Sequence, residues 1–310
     1  MVKNNRLQEI LSYSEARDEE ATCKFFDISY STLERYKRRA REVNLKFKEK
    51  YENPKILLLD IETSPIEVEV WTLGKQYLYD PKLIKKNRSI LTWAAKWLCN
   101  DVVMGERVAP NEAINRKDKR IVTDLWKLLE EADIIIGHNL KHFDEPIMKS
   151  RFILNGLSPV SPYQVIDTCS HARKEFGFLS NKLDYLGKNL ANKEKIHTNR
   201  ELWTRCISGE KKALEEMLTY NKQDVVLLED VYFKLRPWMH SHPNLGLYYD
   251  DMSNRCPNCG SKNLTIQGNY YTTVNRYNAI KCRECGAYGR ERINNVNKKN
   301  RKGLLGVNAR

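Results

Sequence analysis

The run Lys55-Ile56-Leu57-Leu58-Leu59-Asp60-Ile61-Glu62 is apolar until its last residues and then turns acidic. A short unbroken apolar run of this kind predicts a central strand buried on both faces. Asp133-Ile134-Ile135-Ile136-Gly137 repeats the pattern and predicts a second buried strand. Residues 67–73 alternate apolar and polar positions and predict a half-buried neighbour of the first strand. Residues 90–98, 102–108 and 163–166 are further strand candidates. Residues 120–131 set Ile121, Leu125, Leu128 and Leu129 at helical spacing. Residues 145–154 predict another helix, and residues 182–238 are mainly helical in pattern. An antiparallel start followed by helix–strand alternation predicts a mixed α/β domain of about 190 residues.

The flanks differ from this core. The first fifty residues predict short helices at 6–14 and 18–26, and a third, basic one from Leu33 to about Val43 with Ser31 or Thr32 as its cap. Residues 44–54 are polar and end in Asn53-Pro54, a predicted linker. The expected organisation is a helical module at 1–50, the α/β domain at 51–243, a Cys-rich module at 250–293, and a basic, structureless tail at 294–310.

Composition fits a chain with a sizeable core, at 41% hydrophobic and 30% charged residues. No apolar run reaches the roughly 18 residues of a membrane span, and no secretory signal is visible. A cytoplasmic location without membrane partners is the expectation. The net charge of +13 is unevenly placed. Residues 51–250 carry 29 basic and 28 acidic residues, whereas residues 251–310 carry 12 and 3. A basic appendage on a balanced core suits a polyanion such as nucleic acid, or else serves only solubility. Cys23, Cys99, Cys169 and Cys206 are isolated and the other four cysteines form two Cys-x-x-Cys pairs, a pattern of a reducing compartment rather than of a disulfide framework.

Four carboxylates stand out by position. Asp60 and Glu62 end an apolar strand, and period-two geometry puts both on one face. Asp144 follows the second apolar strand, in Gly137-His138-Asn139-Leu140-Lys141-His142-Phe143-Asp144. Asp224 lies four residues after Tyr220 in a helical stretch, so phenol and carboxylate share a helix face. Taken singly these features are common caps and surface charges. In this order and strand context, Asp60-Ile61-Glu62-Thr63, Asn139-x-x-x-Phe143-Asp144 and Tyr220-x-x-x-Asp224 resemble the three motifs of the DEDD superfamily of 3′–5′ exonucleases, whose fold is ribonuclease H-like. The second motif is similar to the form in family-B DNA polymerase proofreading domains. Thr219 stands where the histidine subtype has its His, so the resemblance is to the tyrosine subtype, DEDDy, over about residues 55–238.

The resemblance implies a metal-dependent exonuclease with two Mg²⁺ or Mn²⁺ ions. Such hard ions take carboxylate oxygen and gather charge on a phosphodiester under attack. It implies that Asp60 is shared by both ions, that Glu62 and Asp224 hold the one that activates water, and that Asp144 supports the second. Tyr220 would orient the attacking water. Asn139, Phe143, Arg173, Lys174, Asn181 and Lys182 are candidate substrate contacts, an ordinary solvated face being the alternative for the charged ones. Asp167, at another strand end, is a candidate support for the site, and His138 and His142 are not read as ligands.

Cys256-Pro257-Asn258-Cys259-Gly260 and Cys282-Arg283-Glu284-Cys285-Gly286 are two Cys-x-x-Cys-Gly knuckles, with strand-like residues 264–267 and 270–279 between them. They resemble a zinc ribbon, and imply one structural Zn²⁺ on Cys256, Cys259, Cys282 and Cys285. A redox dithiol is the alternative. Tyr270, Tyr271, Arg276, Tyr277, Lys281 and Arg283 interleave rings and cations, which suits single-stranded nucleic acid, or else the tyrosines only cover a small core.

At the other end, Tyr30, Thr32, Arg35, Tyr36, Arg38 and Arg39 resemble the basic helix of a helix-turn-helix module, the alternative being a wet amphipathic extension. Together these readings predict a 3′–5′ exonuclease acting on DNA with a 3′ end, of a stand-alone kind carried by bacteria and their phages, with a separate replication or repair protein as a candidate partner. The competing readings are a DNA-binding regulatory or recruitment protein with an inactive nuclease-like core, and the same nuclease with RNA as its substrate.

Overall fold

The computed structural model describes residues 19–33, 54–72, 74, 77, 79–193, 198–251 and 253–306. The chain divides into two compact units, residues 1–53 with 248–250, and residues 54–247 with 251–310. In the first unit, α1 (Glu19–Phe26) packs the Phe25 and Phe26 rings edge to face at 5.0 Å. Residues 30–33 are again helical. The cap is Ser29, not Ser31 or Thr32, because its hydroxyl accepts from the Thr32 N–H at 3.2 Å. The expected helix at 6–14 and most of the basic helix, with Arg35, Tyr36, Arg38 and Arg39, lie outside the described residues.

The second unit is built on a five-stranded mixed sheet. Its strands are β1 (Ile56–Thr63), β4 (Ile90–Trp97), β5 (Val103–Arg107), β6 (Ile134–Gly137) and β7 (Gln164–Asp167), in the order β5-β4-β1-β6-β7. β1 is antiparallel to β4 and parallel to β6, so it is the seam between an antiparallel and a parallel half. Its central place explains its unbroken apolar run, since both faces are covered. Leu57, Leu59 and Ile61 share a core with Ile121, Leu125 and Leu129. Those three come from one stripe of α3 (Lys119–Glu130), which follows the short α2 (Pro110–Ile114). α4 (Asp144–Leu154), α5 (Thr168–Glu175), α6 (Leu183–Leu186), α7 (Arg200–Ile207) and the 25-residue α8 (Lys211–Leu235) complete the flanking layers. At β5, a Cβ on Gly105 would lie 2.8 Å from the Trp93 carbonyl and 3.0 Å from Leu218 of α8, so only glycine admits the helix there. This architecture is ribonuclease H-like.

One predicted strand fails. Residues 67–73 were expected beside β1, yet among the described ones only Glu67–Val68 (β2) forms a strand, and it pairs with Ile84–Lys86 (β3) outside the main sheet. Its alternation has no layer to cover it: Trp71 is 96% exposed. Glu67 instead pairs with Arg116 at 2.6 Å and Lys86 at 3.5 Å.

The Cys-rich module is a three-stranded antiparallel sheet of β8 (Leu264–Tyr271), β9 (Arg276–Cys282) and β10 (Tyr288–Arg290). Asn258 Nδ2 donates to the Arg236 and Met239 carbonyls at 2.8 and 3.2 Å, and Leu245 N–H to the Pro257 carbonyl at 2.8 Å. These bonds tie the module to the end of α8. Residues from 294 onward, expected to be structureless, are in part bonded to it. Asn295 N–H donates to the Arg276 carbonyl at 2.9 Å, its side chain bonds Asn278, and Lys298–Arg301 forms a helical turn, α9. Asparagine amides supply here the pairing that a polar composition was expected to give to water. No described helix is long and apolar enough to cross a membrane.

Buried His242 sits near this junction. Its Nδ1–H donates to the Pro243 carbonyl at 2.7 Å, which leaves Nε2 to accept from the Tyr232 hydroxyl at 2.9 Å. Burial pushes its pKa down to about 4. The imidazole of an unfolded chain titrates near 6.5, so the folded state loses stability as pH falls from about 6.5 to 4, by about 3 kcal/mol in all. Urea midpoints of the wild type should fall across that window, and those of His242→Gln should fall less steeply. Parallel pH profiles would contradict the buried neutral imidazole.

Candidate active site

The candidate site forms where the end of β1 meets α8. Asp60 and Glu62 project to one side of β1, two residues apart, and Asp224 reaches them from α8. One oxygen of each lies within 4.8 Å of the other two. At that spacing two ionised carboxylates repel by about 3 kcal/mol with an effective dielectric constant near 20. Ionised together, the three would form a negative centre that a cation relieves.

A hydrogen-bond relay fixes Asp60. Asn221 Nδ2 donates to Asp60 Oδ2 at 2.6 Å, and Asn221 Oδ1 accepts from the Thr92 hydroxyl of β4 at 3.0 Å. Asn221 and Thr92 are both fully buried, so each polar atom depends on this pairing. Sequence reasoning missed Asn221. The available signal was its place three residues before Asp224, on the same helix face. Tyr220 is buried one turn before Asp224 and meets Trp203 of α7 edge to face at 6.3 Å.

Asp144 arrives differently. After β6 the chain turns sharply: a Cβ on Gly137 would lie 2.7 Å from Leu140 Cβ. Asn139 takes a left-handed φ of +66°, which asparagine tolerates better than most residues. Buried Asp167, at the end of β7, pins this turn. Its Oδ1 accepts from the Asn139 and Ser170 N–H groups at 3.0 and 3.1 Å, and its Oδ2 from the Lys141 N–H at 3.1 Å. Asp144 is the first residue of α4, and its Oδ1 accepts from the Ile61 N–H at 3.3 Å, between Asp60 and Glu62 along β1. It stands apart from the cluster of three. Burial pushes its carboxyl up to about 7, against the opposing pull of the Ile61 N–H.

A cleft of about 530 Å³ opens on the site. Asp60, Glu62 and Asp224 line it together with Asn139, Arg173, Asn181 and Lys182. Lys174 lies outside it beside Glu175, and Phe143 lies outside it under the Arg88 guanidinium, 5.7 Å from the ring centre. His138 forms a wall, its Nε2 donating to the Asn181 carbonyl at 2.8 Å and its Nδ1 bonded to the Thr168 hydroxyl at 2.9 Å. Both ring nitrogens are engaged, as befits a structural histidine.

The four cysteines of the two knuckles also converge, with all sulfurs within 4.8 Å of one another and 3.6 Å separations for Cys256–Cys285 and Cys259–Cys282. A tetrahedron with metal–sulfur arms of about 2.3 Å has edges of about 3.8 Å. The cluster fits a zinc ribbon.

The family comparison agrees with the fold. Residues 101–236 match the RNase_H superfamily, a segment that contains Asp144, Tyr220 and Asp224 and begins after Asp60 and Glu62. The match supports a nuclease-type function. No curated protein matches the sequence. Among solved structures, the family B DNA polymerase from the hyperthermophilic archaeon Pyrobaculum calidifontis aligns at 16% identity and a TM-score of 0.42, over 60% of this chain and 25% of that one. The chain thus spans about a quarter of that polymerase.

The raised Asp144 carboxyl has a stability signature. Without added divalent ion, the folded chain keeps Asp144 protonated up to about pH 7, while the unfolded chain ionises it near 3.8. Folding therefore loses stability as pH rises through that interval. Asp144→Asn keeps an acceptor for the Ile61 N–H and cannot ionise. Its melting temperature should gain on wild type from pH 4 to 7 and keep a constant lead above. A variant that gains nothing across that interval would show that the wild-type carboxyl is not held neutral.

Proposed function

We propose that the chain is a metal-dependent 3′–5′ exonuclease of the DEDDy kind, hydrolysing phosphodiester bonds of nucleic acid, with DNA as the substrate, by a two-metal mechanism. The observation that carries this reading is the convergence of Asp60, Glu62 and Asp224 on one side of a cleft whose lining includes Arg173 and Lys182. The donor set is all carboxylate oxygen, which fits Mg²⁺ or Mn²⁺ and not a soft metal. Bound there, divalent ions supply a water of lowered pKa and positive charge for the leaving oxygen.

The chain's own residues do the rest. Asp60 is held in one orientation by Asn221, so a ligand oxygen need not be reorganised when substrate arrives. Glu62 and Asp224 complete the cradle. Asp144, bonded to the Ile61 N–H between Asp60 and Glu62, joins when ionised and supports the leaving side. The Tyr220 hydroxyl, one helical turn from Asp224, orients the attacking water. Arg173 and Lys182 take the phosphates of the incoming strand, and Asn139 and Asn181 bound its terminal nucleotide. Residues 51–243 act as the nuclease domain in this account, and residues 250–293 as a ribbon closed by one structural Zn²⁺. The substrate is a strand with a 3′ end in the cytoplasm of a bacterial or phage-infected cell, met alone or through a separate replication or repair protein.

End-labelled oligonucleotides test this reading. Asp60→Ala and Asp224→Ala should each lower turnover at least about a thousandfold, and EDTA should abolish it, with mononucleotides released from the 3′ end in the wild type. Tyr220→Phe should lower the rate less than Asp224→Ala does. Full activity in Asp60→Ala, or cleavage insensitive to EDTA, would contradict the assignment.

Elemental analysis tests the second metal. Protein purified without added metal should carry one zinc per chain, and Cys259→Ser should lose it and loosen residues 256–285. Mg²⁺-dependent hydrolysis of a tetranucleotide should survive that loss. Loss of turnover together with zinc, in a folded core, would make the ribbon part of the catalytic machinery.

A further inference from the structure

Alternation along β9 puts Tyr277, Ala279 and Lys281 on one face of the ribbon sheet. Their cross-strand partners share that face: Tyr270 opposite Tyr277, Arg290 opposite Ala279, and Tyr288 opposite Lys281. Three tyrosines and two cations are thus gathered on one side of three strands. They are also arranged. The Arg290 guanidinium lies 4.2 Å from the centre of the Tyr277 ring and 5.6 Å from that of Tyr270, and the Lys281 ammonium 5.4 Å from that of Tyr288.

The tyrosines are not there to fill the core. The core of the ribbon is Cys256, Cys282 and Ala287 with Leu264, while Tyr270 and Tyr288 remain 49% and 61% exposed. The other face of the sheet, with Ile280, Cys282 and Gly289, lines a hollow with Asn244, Leu247 and Pro257. Nor are the two cations neutralised by the acids of this segment. Asp251 pairs with Arg255 and Lys262, Glu284 accepts from Asn263, and Glu291 accepts from Asn278. Residues 251–310 hold 12 basic residues against 3 acidic ones, so the occupant that complements this face is a polyanion.

We propose that this face is a stacking platform for single-stranded nucleic acid. The open rings of Tyr270 and Tyr288 take unpaired bases, and Arg290 and Lys281 take the phosphates between them. A duplex hides its base faces, so ring stacking selects the single strand. Two strand spacings and four residues of rise separate the two tyrosines by about 16 Å, so they engage separate bases and a strand must run several nucleotides to touch both. The platform deepens the exonuclease reading, because it makes the substrate a long single strand gripped away from the site of hydrolysis. It is measured independently of turnover.

The test is fluorescence anisotropy on labelled 30-mers of oligo(dT) and oligo(U) and on a 30-base-pair duplex. The protein is the full zinc-loaded chain carrying Asp224→Asn, so that the probe is not consumed. Adding Tyr270→Ala with Tyr288→Ala should weaken both single strands at least about tenfold and the duplex less than about twofold. Tyr→Phe at both positions should restore the affinity. Lys281→Gln with Arg290→Gln should lower the log–log salt slope on single strands by about 1.4. Unchanged oligo(dT) affinity in the zinc-retaining Ala variant, or equal weakening of duplex and single strand, would overturn the platform. Where the Ala pair fails to retain zinc, the Gln pair decides: an unchanged slope overturns the proposal and a reduced one supports it. If the chain without Asp224→Asn hydrolyses nothing, yet the tyrosines still govern oligo(dT) affinity, the exonuclease reading falls and the platform stands.

Discussion

Three carboxylates held within 4.8 Å of one another repel, and the rest of the domain is arranged so that they cannot move apart. Two of them are fixed because β1 is paired with β4 along that stretch, Asp60 opposite Ala94 and Glu62 opposite Thr92. The third is fixed because α8 is clamped to the sheet. A buried ion pair joins Lys96 of β4 to Glu229 of α8, Arg107 of β5 reaches Glu215 at 3.0 Å, and Gly105 lets the helix approach. The Thr92–Asn221–Asp60 relay then carries that alignment to a single Asp60 oxygen. Removing one member would leave buried polar atoms unpaired, so the relay rigidifies the site it serves.

The fourth carboxylate is under a different constraint. Asp144 is positioned by a loop that Asp167 pins through two backbone N–H groups, those of Asn139 and Lys141, and its own oxygen is already engaged by Ile61. Burial keeps it neutral to about pH 7, so it contributes charge to the site only when something nearby favours its ionised form.

The parts legible in the sequence are those whose chemistry is local. An unbroken apolar run ending in two acids can hardly be anything but a central strand, and Cys-x-x-Cys-Gly repeated after twenty-two residues places four sulfurs together. Tyr220 and Asp224 share a helix face, a common pattern that stood out only in company with the two other acidic motifs. Asn221 did not, because its bond to Asp60 spans 161 residues and an asparagine in a helix carries no pattern of its own. Residues 67–73 misled because alternation describes a strand only where a second layer covers one face, and Trp71 has none. The asparagines after 293 look like solvated coil in composition, yet Asn295 is stitched to β9 by hydrogen bonds that composition does not encode.

The central claim is that the Asp60–Glu62–Asp224 cluster is a divalent-cation site preorganised by Asn221. Calorimetric titration of the zinc-loaded chain with Mn²⁺, without nucleic acid, tests it most directly. The account predicts saturable binding that Asp224→Asn removes and that Asn221→Ala weakens about 10- to 100-fold, while the fold and the ribbon zinc persist. Mn²⁺ binding of the same affinity and stoichiometry in all three proteins would contradict it.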